Sequence, residues 1–246
     1  MKNNNNLLGS LGYIFPSDTT QLEDFALIYG DYEHEGNEKS INPKRILRRL
    51  NEEKAELTKN DYHKRLTLAA EIVYQLHDDK YMGHLKLEKV IYLCKNVKNI
   101  SVHTNFLKQA MGPHDPVMIR SFDKRFLSNK WFKYNFDSFP KYTLLEKAGE
   151  HRTWLQRYYK NDLDNINYII DTFRIFNGNQ IELVVTIFDC WNDIIEDEME
   201  PSIELISKKV YAWSENKAKF KPQQIENAIS WMKEKGIFPK NHLNHS

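Results

Sequence analysis

The sequence lacks any apolar run long enough to span a bilayer, and its N-terminus has no apolar segment of the kind that directs secretion. Met1 and Lys2 are followed by four asparagines instead. We therefore expect a cytoplasmic protein that has no membrane partner. Cysteine is also scarce, and Cys94 and Cys190 each lie within an apolar pattern of helical spacing. This context predicts buried thiols rather than a disulfide or a metal pair.

Patterns typical of catalytic sites are missing as well. The nine histidines include no pair at zinc-binding spacing on a predicted helix. There is no Gly-rich phosphate loop, no Gly-x-Ser-x-Gly turn and no carboxylate array suited to magnesium. His114 and Asp115 are adjacent and could form an acid–base pair, but no nucleophile is suggested nearby. The sequence therefore predicts a protein that is not an enzyme and that uses neither a metal nor a cofactor.

Helical periodicity dominates what is present and predicts a mostly α-helical protein in three parts. The first part is an N-terminal helical arm, residues 1–57, in which Asn42 and Pro43 have the form of a helix start. Four Lys or Arg residues follow between positions 44 and 49. This basic side is either a solvated face or a surface that docks on acidic groups or phosphate.

The second part, residues 58–149, is predicted to be a helical core. Thr58 opens it as a helix cap, with Asp61 in the capping-box position. Gly112 and Pro113 are expected to end its third helix, because proline cannot continue the hydrogen-bond ladder. The three helices are expected near residues 58–77, 85–97 and 101–110.

A fourth helix in this part is expected from Asp115, as its cap, to Ser128. Two aromatic-rich runs of strand-like length follow, at 131–136 and 142–144, and a turn-rich loop separates them. They predict a small β-hairpin. Helices that lead into a hairpin have the outline of a winged helix-turn-helix, in which the helix at 115–128 would be the recognition element.

The third part, residues 150–246, is predicted to be a C-terminal helical bundle with a short tail. Trp191, Trp213 and Trp231 have helical contexts, so we expect them to anchor the core of the bundle rather than a binding site. Helices are expected near residues 151–159, 163–176, 180–196, 203–216 and 222–235.

Charge is distributed unevenly although the net charge is only +1. Residues 80–133 contain eleven Lys or Arg against three Asp or Glu, whereas residues 182–204 contain eight acids and no Lys or Arg. The basic span could follow a phosphate backbone, or it could simply keep the core soluble. It could also meet an acidic surface, either the 182–204 segment or a partner.

Two short segments carry a family resemblance. Residues 86–93 (KLEKVIYL), followed by residues 110–113 (AMGP), resemble the Panacea-type antitoxin domain. That resemblance implies a non-enzymatic helical domain that neutralises a toxin by direct binding, sometimes beside a DNA-binding segment. A longer set of segments, from Gly83 to Phe132 and then 145–149, 191–193 and 228–236, is similar to a helical extension at the end of some type I restriction specificity subunits.

We therefore expect a regulatory, antitoxin-like protein of a bacterial defence or mobile-element locus. Its partner would be a protein, either a toxin or a subunit of a defence complex. The alternative is an accessory subunit of a restriction-type or other phage-defence system that binds duplex DNA through the basic 80–133 span. The residues predicted to contact a partner or nucleic acid are Lys86, Lys89, His114, Asp115, Arg120, Lys124, Arg125, Lys130 and Lys133.

Overall fold

Helices make up most of the computed structural model, which describes residues 57–240. Two small antiparallel hairpins interrupt them, and this architecture confirms the predicted mostly α-helical class with a small hairpin. None of the helices in the described range is both long and apolar enough to cross a membrane. The elements are α1 (Lys59–Leu76), α2 (His84–Lys98), β1 (Leu107–Gln109), β2 (Gly112–His114), α3 (Pro116–Ser128), β3 (Phe132–Tyr134), β4 (Tyr142–Leu144), α4 (Arg152–Tyr159), α5 (Leu163–Phe173), α6 (Gly178–Glu196), α7 (Ile203–Tyr211), a 3-10 helix (Glu215–Lys219) and α8 (Pro222–Glu234).

The predicted N-terminal arm, with its basic helix after Asn42 and Pro43, lies outside the described residues apart from Leu57. The predicted boundary near residue 149 falls inside one compact unit of the described residues. Helix α2 explains why, because it packs against α1 on one side and against α5 and α6 of the C-terminal part on the other. The core and the bundle therefore share one interior.

Side-chain oxygens begin several of these helices. Thr58 Oγ1 accepts the backbone N–H of Asp61 at 3.1 Å, and Asp115 Oδ1 accepts the N–H of Met118 at 3.0 Å. Both caps satisfy amide groups that the helix itself cannot, and both were predicted. Asn177 and Gln180 form a reciprocal capping box, which starts α6 two residues earlier than expected.

The three C-terminal tryptophans and both cysteines occupy the interior, as predicted. Trp231 packs against Phe173 and Phe176, so it joins α8 to the end of α5. Cys94 is a buried free thiol, and burial raises its pKa to about 12. Burial raises the pKa of the Cys190 thiol as well. Neither thiol is suited to nucleophilic or metal chemistry at neutral pH.

The helix predicted over residues 101–110 is wrong. Residues 101–106 form no regular element, and residues 107–114 form the hairpin β1–β2, with Gln109 opposite Gly112. Gly112 has a φ of +94°, and a Cβ there would lie 3.4 Å from Thr186 Oγ1. Glycine is therefore favoured here by the positive φ of the hairpin backbone, and it does not terminate a helix.

The second hairpin follows α3 as predicted, with Phe132 opposite Leu144 and Tyr134 opposite Tyr142. Phe126 of α3 packs edge-on against Phe132 at 5.2 Å, and His84 of α2 stacks on Tyr134 at 3.7 Å. These contacts hold the hairpin against the inner face of α3. The opposite face of α3 consequently points away from the core.

Candidate partner-binding surface

Lys86 is an interior residue, with only 1% of its surface exposed. Its ammonium donates to the Asp79 carboxylate and to the carbonyl oxygens of Arg174 (2.6 Å) and Phe176 (2.8 Å). All three of its N–H groups are therefore used inside the protein, where they tie α2 to the end of α5. The predicted partner contact by Lys86 does not fit this position.

Lys89, completely buried, also has an internal role. Its ammonium donates to the Pro113 carbonyl oxygen and lies 3.4 Å from the Glu88 carboxylate. The Glu88 carboxylate in turn accepts the backbone N–H of Asp115 at 2.5 Å and lies 2.8 Å from His114 Nδ1. Burial alone would raise the pKa of Glu88, but Lys89, His114 and the amide together hold it below its usual value. The carboxylate is therefore ionised and aligns β2 with the start of α3.

Two further predicted residues belong to this arrangement. Asp115 is 4% exposed, and its second carboxylate oxygen accepts the Asn105 N–H at 3.0 Å. It is a structural cap rather than a contact residue. His114 keeps 35% of its side chain exposed, so only its outer edge can reach a partner. The predicted contact roles of Lys89 and Asp115 are thus incompatible with their burial.

The other predicted basic residues do lie at the surface. On α3, exposed side chains recur at helical spacing, and Lys124 stands between two apolar residues, Val117 and Leu127, which are 69% and 55% exposed. Arg125, the next residue after Lys124, is also exposed. We refer to Val117, Arg120, Lys124, Arg125 and Leu127 as the α3 face.

The second hairpin adds charge and apolar surface of its own. Lys133 is exposed on β3, and the loop at its tip exposes Phe136 and Phe139 to 57% and 55%. Lys130 precedes the hairpin and lies 2.7 Å from Glu146, but both side chains are largely exposed. An exposed pair of this kind contributes little to stability and leaves Lys130 accessible.

An aromatic group around His63 was not predicted. His63 of α1 meets Trp154 edge-on at 4.8 Å, and its Nδ1 is 3.1 Å from the Tyr158 hydroxyl. Burial lowers the pKa of His63, and the positive charge of Arg125 lowers it further. Trp154 is 37% exposed. The i, i+4 spacing of Trp154 and Tyr158 was the available sequence signal.

Several acids of the 182–204 segment pair with lysine side chains of the described chain. Glu182 is fully buried against Lys217, at 2.5 Å, and Lys219, at 3.0 Å. Asp193 lies 3.8 Å from Lys108, and the Tyr92 hydroxyl donates to Asp189 Oδ1 at 2.9 Å, so this segment does contact the basic span. Between residues 57 and 240, no group of three or more His, Cys, Asp or Glu side chains could hold a metal ion.

No protein-family model, no curated protein and no solved structure matches this chain. The features that bear on function are therefore those of the exposed surface: a helix face with both apolar and basic side chains, and a hairpin with exposed phenylalanines.

Proposed function

We propose that this chain is a non-enzymatic, antitoxin-like regulator of a bacterial defence or mobile-element locus, and that it binds an acidic protein partner through the α3 face. The observation that carries the proposal is the exposure of Val117 and Leu127 on the same helix side as Lys124. Exposed apolar surface that is rimmed by polar side chains is characteristic of regions that become buried in a complex. The resemblance of residues 86–93 and 110–113 to antitoxin domains supports the same class.

The basic residues favour one kind of partner. Lys124 and Arg125 would meet carboxylates at the rim, while Val117 and Leu127 would be buried at the centre. Arginine is also a common energetic centre of protein interfaces. The α3 face would therefore bind a partner surface that has a shallow apolar patch surrounded by Asp and Glu side chains.

The test begins with co-expression of the products of neighbouring genes. We expect one of them to be toxic alone and to be neutralised by this chain. In the Lys124→Glu/Leu127→Asp variant, neutralisation should be lost, and the dissociation constant measured by calorimetry should rise at least ~100-fold, or about 2.7 kcal/mol. Both side chains are exposed, so circular dichroism should show an unchanged fold.

A matched control places the same two changes elsewhere. Lys233→Glu/Ile203→Asp also reverses one charge and removes one exposed aliphatic side chain, on α8 and α7. Its affinity should stay within about threefold of the wild type, because no part of the α3 face changes. If no neighbouring product is toxic and rescued, the antitoxin function is wrong; if both variants bind equally, the α3 face is the wrong surface.

A nucleic-acid-binding accessory subunit is the second candidate function. The favouring observation is that Arg120, Lys124, Arg125, Lys130 and Lys133 are all exposed, on a helix that leads into a hairpin. Duplex DNA would then bind with an affinity that falls steeply with salt. Lys124→Ala/Arg125→Ala should reduce the slope of log K against log salt by about 2. Absence of binding at low salt would exclude this function.

A further inference from the structure

A polar cleft lies between α1, α4 and α5, on side chains that the α3 face does not include. Its volume is about 520 Å³, within the range of small-molecule sites. Polar groups rather than apolar ones line it, so any ligand would be bound by charge and hydrogen bonds. The residues that decide its chemistry are Glu71, Tyr74, Gln75, Arg152, Asn167 and Arg174.

Glu71 forms the floor of the cleft and has no acceptor capacity left. Its carboxylate accepts from Arg152 Nε (3.0 Å), Arg152 Nη2 (2.9 Å), Gln75 Nε2 (2.8 Å) and His151 Nε2 (2.9 Å). Burial alone would raise the pKa of Glu71, but these bonds lower it to about 2. The carboxylate is thus permanently ionised at neutral pH, and its four hydrogen bonds occupy both oxygens.

The ionised Glu71 determines how the neighbouring amides are oriented. A carboxylate can only accept, so Gln75 must turn its NH2 group towards Glu71. The same Gln75 NH2 group donates to Asn167 Oδ1 at 2.9 Å. Asn167 must therefore direct its oxygen towards Gln75 and its own NH2 group away from it. The result is a hydrogen-bond donor at the cleft.

Two guanidinium groups add further donors. Arg152 lies over the Tyr74 ring at 4.3 Å and uses only one edge on Glu71, so its other N–H groups face outwards. Arg174 donates to the Gln75 carbonyl oxygen at 2.7 Å and to Asp171 at 3.2 Å, and its Nε has no acceptor among the residues that the structure describes. Within residues 57–240, neither the Tyr74 hydroxyl nor the Asn167 NH2 group donates a hydrogen bond to another protein group.

Acceptors are correspondingly few. Of the two acids in the lining, Asp171 is the one whose carboxylate can still accept hydrogen bonds. Its side chain is 68% exposed at the rim, where water screens its charge. The Glu71 side chain is only 4% exposed, and Arg152 covers its carboxylate. A ligand that enters the cleft therefore meets several hydrogen-bond donors and two guanidinium groups that Glu71 and Asp171 hold in place.

We propose that this cleft binds a small, strongly charged anion through a carboxylate or phosphate group, which Arg152, Arg174, Asn167 and Tyr74 would contact. Planar guanidinium groups match the oxygens of both anion types. Because the lining comes from three helices, the ligand would also join α1 to α4 and α5. This inference is independent of the partner-binding function.

Asn167→Asp is the variant that tests the proposal most directly. The Asp side chain keeps an oxygen for the Gln75 NH2 group, so the local structure is retained, but it replaces the cleft-facing donor with a negative charge. We expect calorimetric titration of the full chain with pyrophosphate, inorganic phosphate and citrate to show saturable 1:1 binding of at least one of them. Asn167→Asp should weaken that binding at least ~10-fold.

Two further variants complete the experiment. Asn161→Asp adds the same charge at the exposed turn between α4 and α5, outside the lining of the cleft, and should change the affinity less than about twofold. Tyr74→Phe removes one hydroxyl and should weaken binding about 3- to 10-fold. Binding of the phosphates but not citrate would assign a phosphate site, and binding of citrate alone a carboxylate site. Absence of saturable binding by all three anions, or equal weakening by Asn167→Asp and Asn161→Asp, would overturn the proposal.

Discussion

Replacing Lys217 with alanine is expected to lower the free energy of unfolding by about 3–5 kcal/mol. Lys217 and Glu182 are both fully buried, and Nζ lies 2.5 Å from Oε1. Burial lowers the pKa of Lys217, and Glu182 counteracts that effect, so the charged amine is stable there only because of its partner. Without Lys217, the buried Glu182 carboxylate would keep only the partly exposed Lys219, 3.0 Å away, as a cationic partner.

Urea unfolding followed by circular dichroism measures this loss. Lys219→Ala is the matched control, because Lys219 binds the same carboxylate at 3.0 Å but keeps 35% of its side chain exposed, and its loss should cost less than about 1 kcal/mol. Glu182→Leu/Lys217→Met should recover much of the stability, since it removes both charges together. A Lys217→Ala protein within 1 kcal/mol of the wild type would contradict the importance of the buried pair.

This pair also illustrates what local sequence could not reveal. Glu182 was counted as part of an acidic surface, because eight acids and no basic residue lie between 182 and 204. Its partner stands 35 positions further along, on a 3-10 helix. Sequence composition gives the sum of charges, but it does not say which charged side chains face inwards. Whether an acid is buried depends on whether a residue distant in sequence pairs with it.

The first hairpin was missed for a related reason. Its backbone groups are bound by side chains from distant elements: the Trp213 indole N–H donates to the Gln109 carbonyl oxygen at 2.7 Å, and the Ser214 hydroxyl donates to the Ala110 carbonyl oxygen at 3.3 Å. Those contacts override the weak helical pattern of residues 101–110. Where local signals suffice, as at the Thr58 and Asp115 caps and the period of α3, the prediction succeeded.

The KLEK segment at residues 86–89 illustrates how a motif can have a structural role. Lys86 binds the end of α5, while Glu88 and Lys89 bind the 113–115 backbone that leads into α3. A pattern with two lysines suggested partner contacts, yet these side chains are saturated inside the protein. Their effect on function is indirect, because they determine where α3 begins and so how the α3 face is presented.

Replacing Glu71 with glutamine is expected to lower the free energy of unfolding by about 3 kcal/mol at pH 7. The pKa of Glu71 falls from 4.5 to about 2 in the folded protein, and each pKa unit corresponds to about 1.4 kcal/mol. A carboxyl group whose pKa is lower in the folded than in the unfolded protein stabilises the fold, and this contribution is complete when the pH is above the unfolded-state pKa. The contribution is lost as the pH falls from about 4.5 towards 2, so the gap between wild type and Glu71→Gln should narrow over that window.

Urea unfolding at pH 7, 4.5 and 3 would measure both the difference and its pH dependence. Glu150→Gln is the appropriate control, because the Glu150 side chain is 59% exposed and lies 3.7 Å from the exposed ammonium of Lys147. Removing that charge should cost less than about 0.5 kcal/mol. A Glu71→Gln difference that stays constant from pH 7 to pH 3 would show that the His151 and Arg152 contacts stabilise the fold through packing rather than through the ionised carboxylate.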